Sequence, residues 1–150
     1  MNGELNTIIS FKAADEQFAF DALIVRHILE LGKITRIPNV PDYLLGVINL
    51  HGNILPVADF RMMIGADNVN RTKDTSIIII SPNNQIESYI GLVVDMVNEV
   101  ITINPALIQP SILEGNLGMV DSFEGTINLN GDFIQLINID ALVKKIEDTK

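Results

Sequence analysis

The stretch GVINLHGNILPVADF, residues 46–60, has the form of a β-hairpin, with two apolar strands joined by a turn at His51, Gly52 and Asn53. Glycine suits such a turn because tight hairpin turns require positive φ angles. Seventy-nine residues later the chain contains GTINLNGDFIQLINI, residues 125–139, which has the same form. This repetition is the observation on which the predicted fold depends.

The two hairpins share five identical residues within seven aligned positions. The matches are Gly46, Ile48, Asn49, Leu50 and Gly52 with Gly125, Ile127, Asn128, Leu129 and Gly131. An internal repeat affects the assignment of the whole fold. We interpret the matches as a duplication that produces two similar small β units. The alternative is convergence, because glycine-turn hairpins resemble one another.

A weaker repeat precedes each hairpin. FDALIVRHI, residues 20–28, aligns with LVVDMVNEV, residues 92–100. The aligned apolar pairs are Val25 with Val97 and Ile28 with Val100. Two similar units side by side would leave a seam between them, and such seams are common places for a ligand or a partner.

Other apolar segments also favour strands, because Ile and Val suit a pleated sheet and turn residues separate the runs. Residues 17–31 are ambiguous between strand and helix, with strand favoured, and residues 34–46 form an extended connector because two prolines interrupt them. The sequence predicts about nine strands in an all-β sandwich or barrel. The other expected strands lie at 5–11, 75–81, 88–103 (one strand or two) and 117–139, and helical turns are expected at 61–66, 104–109 and 140–146.

Composition excludes several classes of protein. The chain is 47% hydrophobic, contains no cysteine and has a net charge of −9, so disulfides and cysteine zinc sites are absent. Between residues 74 and 143 there are nine acidic residues and no Lys or Arg. We therefore expect neither nucleic acid nor membrane insertion, and a basic protein surface is the better partner; alternatively the acids only confer solubility. No secretory signal or membrane-length apolar run is visible, so we expect a cytoplasmic protein.

Candidate catalytic residues are few. The two histidines, His27 and His51, could join Asp59 or Asp95 as metal ligands, which would suit a small His/Asp-dependent enzyme. No nucleophile elbow, metalloprotease motif or phosphate-binding glycine loop supports that interpretation. We predict no catalytic residue, no metal and no cofactor, and hence a binding protein rather than an enzyme.

The stretch ITRIPNVPDYLLGVINLHGNILPVADFR, residues 34–61, resembles the signature of the CheW family of chemotaxis coupling proteins. The resemblance extends over nearly the whole chain and includes FDALIVRHI and GLVVDMVNEV. It implies one CheW-like domain, residues 1–150, made of two intertwined five-stranded, SH3-like β-barrel lobes. Lobe one would span about residues 15–83, and lobe two about residues 84–150 together with the N-terminal strand, residues 1–14.

The same resemblance implies a non-catalytic adaptor in chemotaxis signalling arrays. Such a protein couples the hairpin tips of methyl-accepting chemoreceptors to the histidine kinase CheA, through the CheW-like regulatory domain of that kinase. It would be cytoplasmic and associated with membrane receptor arrays, and would not itself enter the membrane. The kinase-docking residues are not implied.

The resemblance also implies a receptor groove between the lobes. Its expected residues are Val25, His27, Gly46, His51, Gly52, Val97 and Val100. The groove would hold a helical tip on an apolar strip with a polar rim. Two residues depart from the family, since His51 stands where Arg is common and His27 where Glu is common. These departures raise the alternative of an adaptor for a divergent chemosensory pathway, such as one for type IV pili or gliding.

Overall fold

The computed structural model describes residues 6–66, 69–109 and 123–147. The strands within these ranges fall into two five-stranded sheets, which confirms the all-β, two-lobed fold class. They are β1 (Asn6–Ala13), β2 (Glu16–Asp21), β3 (Val25–Glu30), β4 (Leu44–Leu50), β5 (Asn53–Asp59), β6 (Ser76–Ile80), β7 (Ile90–Val94), β8 (Met96–Ile103), β9 (Phe123–Leu129) and β10 (Asp132–Ile137).

The helical elements are short and begin where the sequence offers a cap. Helix α1 (Phe60–Met63) follows Asp59, whose carboxylate accepts hydrogen bonds from the first backbone N–H groups. A 3-10 turn at Pro105–Leu107 follows Asn104, which caps it in the same way. Helix α2 (Ile139–Glu147) is near the described C-terminal end. Helical structure therefore occurs in each of the three places where the sequence predicted it.

The sheet of lobe one has the strand order β3-β6-β7-β5-β4, and that of lobe two has the order β8-β1-β2-β10-β9. The two orders are equivalent, and in each sheet the one parallel pair, β5 with β7 or β10 with β2, occupies the same place. Lobe one is continuous in sequence, whereas lobe two is assembled from both ends of the chain. The two lobes therefore share one strand connectivity and are intertwined along the chain.

The sheets divide the chain differently from the expected lobe boundaries. Strand β2, expected in lobe one, pairs with β1 and β10 in lobe two. Strand β7, expected in lobe two, pairs with β6 and β5 in lobe one. The physical reason is the same in both cases, because each strand is the second arm of a hairpin and stays with its first arm. The segments 17–31 and 88–103 each form two strands, one in each lobe.

Each lobe has its own small core, and a third and larger core lies between them. Apolar side chains from both sheets and both helices form this shared core, which includes the rings of Phe11, Phe18 and Phe60. The ring centres of Phe18 and Phe60 are 5.0 Å apart, and those of Phe11 and Phe60 are 5.3 Å apart, both edge to face. The middle of the seam between the lobes is therefore filled, and a partner would have to bind at its rim.

Among the described residues, no helix is long and apolar enough to cross a membrane.

Candidate partner-binding groove

Val25 and Val97 lie at equivalent places on the rim of the shared core. Val25 begins β3, Val97 lies near the start of β8, and both are half-buried against the shared core. The two valines match in the sequence repeat and belong to different lobes. The structure therefore brings these two expected groove residues to the same core from opposite sheets.

Val100 is the most accessible apolar residue of the expected groove. Its side chain is 63% exposed on β8, and its counterpart in the repeat, Ile28 on β3, is 48% exposed. Both side chains are therefore accessible to a partner. Val100 remains an expected groove residue, and Ile28, its counterpart in the repeat, shares its exposure.

His27 and His51 come from different elements and meet at the surface of lobe one. His27 is half-buried on β3, and His51 is exposed in the turn between β4 and β5. Their ring centres are 6.0 Å apart and the rings are nearly perpendicular. The ring of Tyr89, just before β7, lies 6.5 Å from His27. The structure thus brings the two histidines of the chain together as one imidazole pair.

The hairpin turn holds His51 in an unusual backbone conformation. His51 has a φ of +53° and Gly52 a φ of +88°, as a two-residue hairpin turn requires. The side chain of Asn49 accepts a hydrogen bond of 2.8 Å from the backbone N–H of Gly52. Glycine at position 52 is therefore required by the shape of the turn. Gly52 is exposed and lies next to His51.

Gly46 is buried, in contrast to the other expected groove residues. A Cβ atom added there would lie 1.9 Å from the backbone oxygen of Thr35, because the connector crosses directly over β4 at this point. Thr35 and Val47 exchange two backbone hydrogen bonds of 2.8 and 2.9 Å across the crossing. Gly46 is therefore required by a backbone contact inside lobe one.

A buried ion cluster lies at the junction of the lobes and was not predicted from the sequence. Nε and Nη2 of Arg61 donate to the two carboxylate oxygens of Asp59 at 3.0 and 2.8 Å. Nη1 of Arg61 donates to Asp95 at 3.0 Å. Asp95 connects β7 to β8, and its other oxygen accepts from the backbone of Ala14 in the β1–β2 turn. The cluster therefore ties lobe one to lobe two.

The cluster also accounts for the two acids that were considered as metal ligands. Burial acts to lower the pKa of Arg61, but the hydrogen bonds and charges of Asp59 and Asp95 outweigh it and raise that pKa above its ordinary value. Both carboxylates are thus engaged by a permanent cation instead of the histidines. In the described ranges, no group of three His, Asp or Glu side chains is positioned to hold a metal ion.

Two clefts lie away from the imidazole pair. A cleft of about 410 Å³ runs beneath the connector that precedes β4, and its walls include Ile37, Val40, Leu45 and Met62. A more polar cleft of about 350 Å³ opens between the lobes beside Asp95. Neither contains any of the expected groove residues.

The chain is similar to proteins of known class along most of its length. Residues 7–147 match a family model described as the CheW-like domain. The chain is 30% identical over 140 residues to chemotaxis protein CheW of Rhizobium meliloti strain 1021, covering 90% of this chain and 85% of that protein. It is 33% identical over 149 residues to chemotaxis protein CheW of Bacillus subtilis strain 168, covering 97% and 93%.

A solved structure is similar to the same extent. The crystal structure of scaffolding protein TtCheW from Thermoanaerobacter tengcongensis superimposes with a TM-score of 0.79 at 31% sequence identity. The match covers 90% of this chain and 90% of that one.

Proposed function

The chain belongs to the CheW-like domain family, and from this premise we propose that it couples chemoreceptor hairpin tips to the histidine kinase CheA. A chemotaxis coupling adaptor is what its relatives and its fold support at the coarser level. The observation that carries the proposal is the match to a scaffolding protein of the same fold over nine-tenths of both chains. The family is generally non-enzymatic. Asp59 and Asp95, the two acids considered as metal ligands, are bound by Arg61.

We place the receptor site at the rim of the shared core. The apolar side chains there are half-buried at Val25 and Val97 and exposed at Val100. The strands that carry them also carry His27, which meets His51, and Glu99. An apolar strip with a polar border is the surface on which an amphipathic helix binds. A receptor tip is a helical hairpin, so this rim suits it. The kinase would bind elsewhere, through its own CheW-like regulatory domain.

The receptor site is tested by placing a charge on each of two equivalent exposed strand positions. We expect Val100→Lys to weaken binding of a receptor hairpin fragment from the same organism by at least about tenfold, because a charge would be buried against the helix. Ile28→Lys is the matched variant on lobe one. Isothermal titration calorimetry measures both, and urea denaturation checks that both variants remain folded.

The kinase serves as the internal control for this experiment. Val100→Lys should bind the isolated CheA regulatory domain as tightly as the unsubstituted chain does. If Val100→Lys leaves the affinity for the receptor fragment unchanged, the proposed groove is wrong. If the unsubstituted chain binds neither the fragment nor the regulatory domain at micromolar concentration, the proposed function is wrong.

A second candidate is an adaptor of a divergent chemosensory pathway, for example one for type IV pili or gliding. The imidazole pair of His27 and His51 favours it, because the family commonly has a Glu and an Arg at these positions. Restoring them with His27→Glu and His51→Arg should raise the affinity for an ordinary chemotaxis receptor if the divergence reflects a different receptor. An unchanged affinity would remove this candidate.

A further inference from the structure

The two lobes present different polar groups at equivalent positions on the rim. The repeat aligns His27 with Glu99 and His51 with Asn130. Glu99 is exposed on β8, whereas the two histidines form one imidazole pair on lobe one. One side of the rim thus carries protonatable donors and the other a carboxylate.

The two imidazoles and the preceding Arg26 have nitrogen atoms without a hydrogen-bond partner among the described residues. Within the described residues, neither imidazole makes a hydrogen bond or an ion pair. Arg26, which precedes His27, donates from Nη2 to the backbone oxygen of Ser81 at 3.2 Å, while its Nε has no partner. The pair is therefore a site that lacks an acceptor.

The charged and titratable groups on the neighbouring elements are few. Strand β3 itself carries Arg26 and Glu30, and the segment before β7 carries Tyr89 with the exposed Glu87 two residues earlier. On β6 the residue paired with His27 is Ile79, which is apolar and buried. No carboxylate of the described residues is bonded to either imidazole, so a partner is free to supply one.

We propose that the imidazole pair of His27 and His51 is a specificity site for an acidic side chain of the receptor partner, with Glu99 facing a basic one, so that binding strengthens as the pH falls. This inference rests on the proposed function and assigns the chemistry of its partner. The helix that binds here carries an acid on the side of lobe one and a base on the side of lobe two. A partner with the opposite arrangement would meet like charges, which lowers its affinity.

The direction of the pH effect follows from proton linkage. A carboxylate favours the protonated form of an imidazole that it contacts, so the complex holds protons more tightly than the free chain. The affinity gained from this contact is therefore present at low pH and is lost as the pH rises.

The test is calorimetric titration of a receptor hairpin fragment from the same organism at about pH 6 and about pH 8, on either side of imidazole titration. The unsubstituted chain should bind about tenfold more tightly at the lower pH, the equivalent of one unit of linked protonation. The double variant His27→Gln, His51→Asn should bind equally at both values. Asn suits the turn because Asn130 occupies the equivalent position with a φ of +56°.

A matched variant separates titration from general electrostatics. Glu99→Gln should weaken binding at both pH values and keep the ratio between them. Affinity that does not change with pH, or a ratio that survives in the double variant, would overturn this inference and leave the proposed function standing. A fragment that binds the chain at neither pH would overturn the proposed function and the inference together.

Discussion

Lobe one and lobe two have the same strand connectivity, yet one is a continuous piece of chain and the other is assembled from both ends. The asparagine and the turn glycine of the repeated hairpin have the same physical role in both lobes. Asn49 accepts from Gly52 at 2.8 Å and Asn128 from Gly131 at 3.0 Å, so each asparagine closes its own turn. What is shared between the lobes is therefore what the fold requires.

Some of the positions that differ face solvent or join the lobes. Aligning the hairpins places Arg61 of lobe one opposite Asp140 of lobe two. Arg61 is buried in the ion cluster at the lobe junction, whereas Asp140 is exposed at the start of α2. The imidazole pair likewise occurs in lobe one alone within the described residues. The buried cation of the lobe junction and the imidazole pair are thus features of lobe one that lobe two does not repeat within the described residues.

The largest expected asymmetry in stability is at the ion cluster. Arg61→Met should lower the free energy of unfolding by about 3–5 kcal/mol, because it leaves the carboxylate charge of Asp59, which is 1% exposed, without its cation. Asp140→Ala, the matched change in lobe two, should cost less than about 0.5 kcal/mol. Equilibrium urea denaturation measures both. The double variant Asp59→Asn, Arg61→Met should recover part of the loss, and similar losses for Arg61→Met and Asp140→Ala would contradict the asymmetry.

The next effect compares the two crossing glycines. A Cβ at Gly46 would lie 1.9 Å from the oxygen of Thr35, and one at Gly125 would lie 2.6 Å from the oxygen of Gln109. We expect Gly46→Ala to cost about 3 kcal/mol and Gly125→Ala about 2 kcal/mol, because both clashes involve backbone. Gly32→Ala is the control, since a Cβ there meets nothing within 4 Å. If thermal or urea unfolding shows that Gly32→Ala is as destabilising as the other two variants, the clash with backbone does not explain the losses.

The smallest effect should be equal in the two lobes. Asn49→Ala and Asn128→Ala each remove one side-chain hydrogen bond to a turn, so each should cost about 1 kcal/mol. The double variant should show the sum, because the two bonds share no partner. Urea denaturation of the three variants checks this. A large loss in one lobe alone would show that the two turns are not equivalent.

Local features of the fold could be predicted from the sequence because local chemistry determines them. The turn at Gly52 and the cap at Asn104 each depend on one or two neighbouring residues, and both lie where they were expected. The ambiguous segment, residues 17–31, consists mainly of strands β2 and β3, as its Ile and Val content indicated, with a 3-10 turn at Ala22–Ile24 between them. Strand type and position were therefore accessible from a single sequence.

The assignment of strands to lobes was less accessible because pairing is not local. Strands β2 and β7 each pair with one neighbour in sequence and with one strand far away, and no local pattern distinguishes the two sheets. The ion cluster was missed for the same reason. Asp59 and Arg61 are close in sequence, but Asp95, which joins them to lobe two, is 34 residues beyond Arg61. The contact of His27 with His51 also depends on folding, although both histidines were selected from the sequence.

The most direct test of the adaptor function is co-sedimentation of CheA with receptor-containing membranes, with and without this chain. The account predicts that the kinase sediments with the membranes when the unsubstituted chain is added, and that Val100→Lys abolishes this effect. If the chain remains in the supernatant, or if the kinase sediments equally without it, the chain does not couple receptors to the kinase.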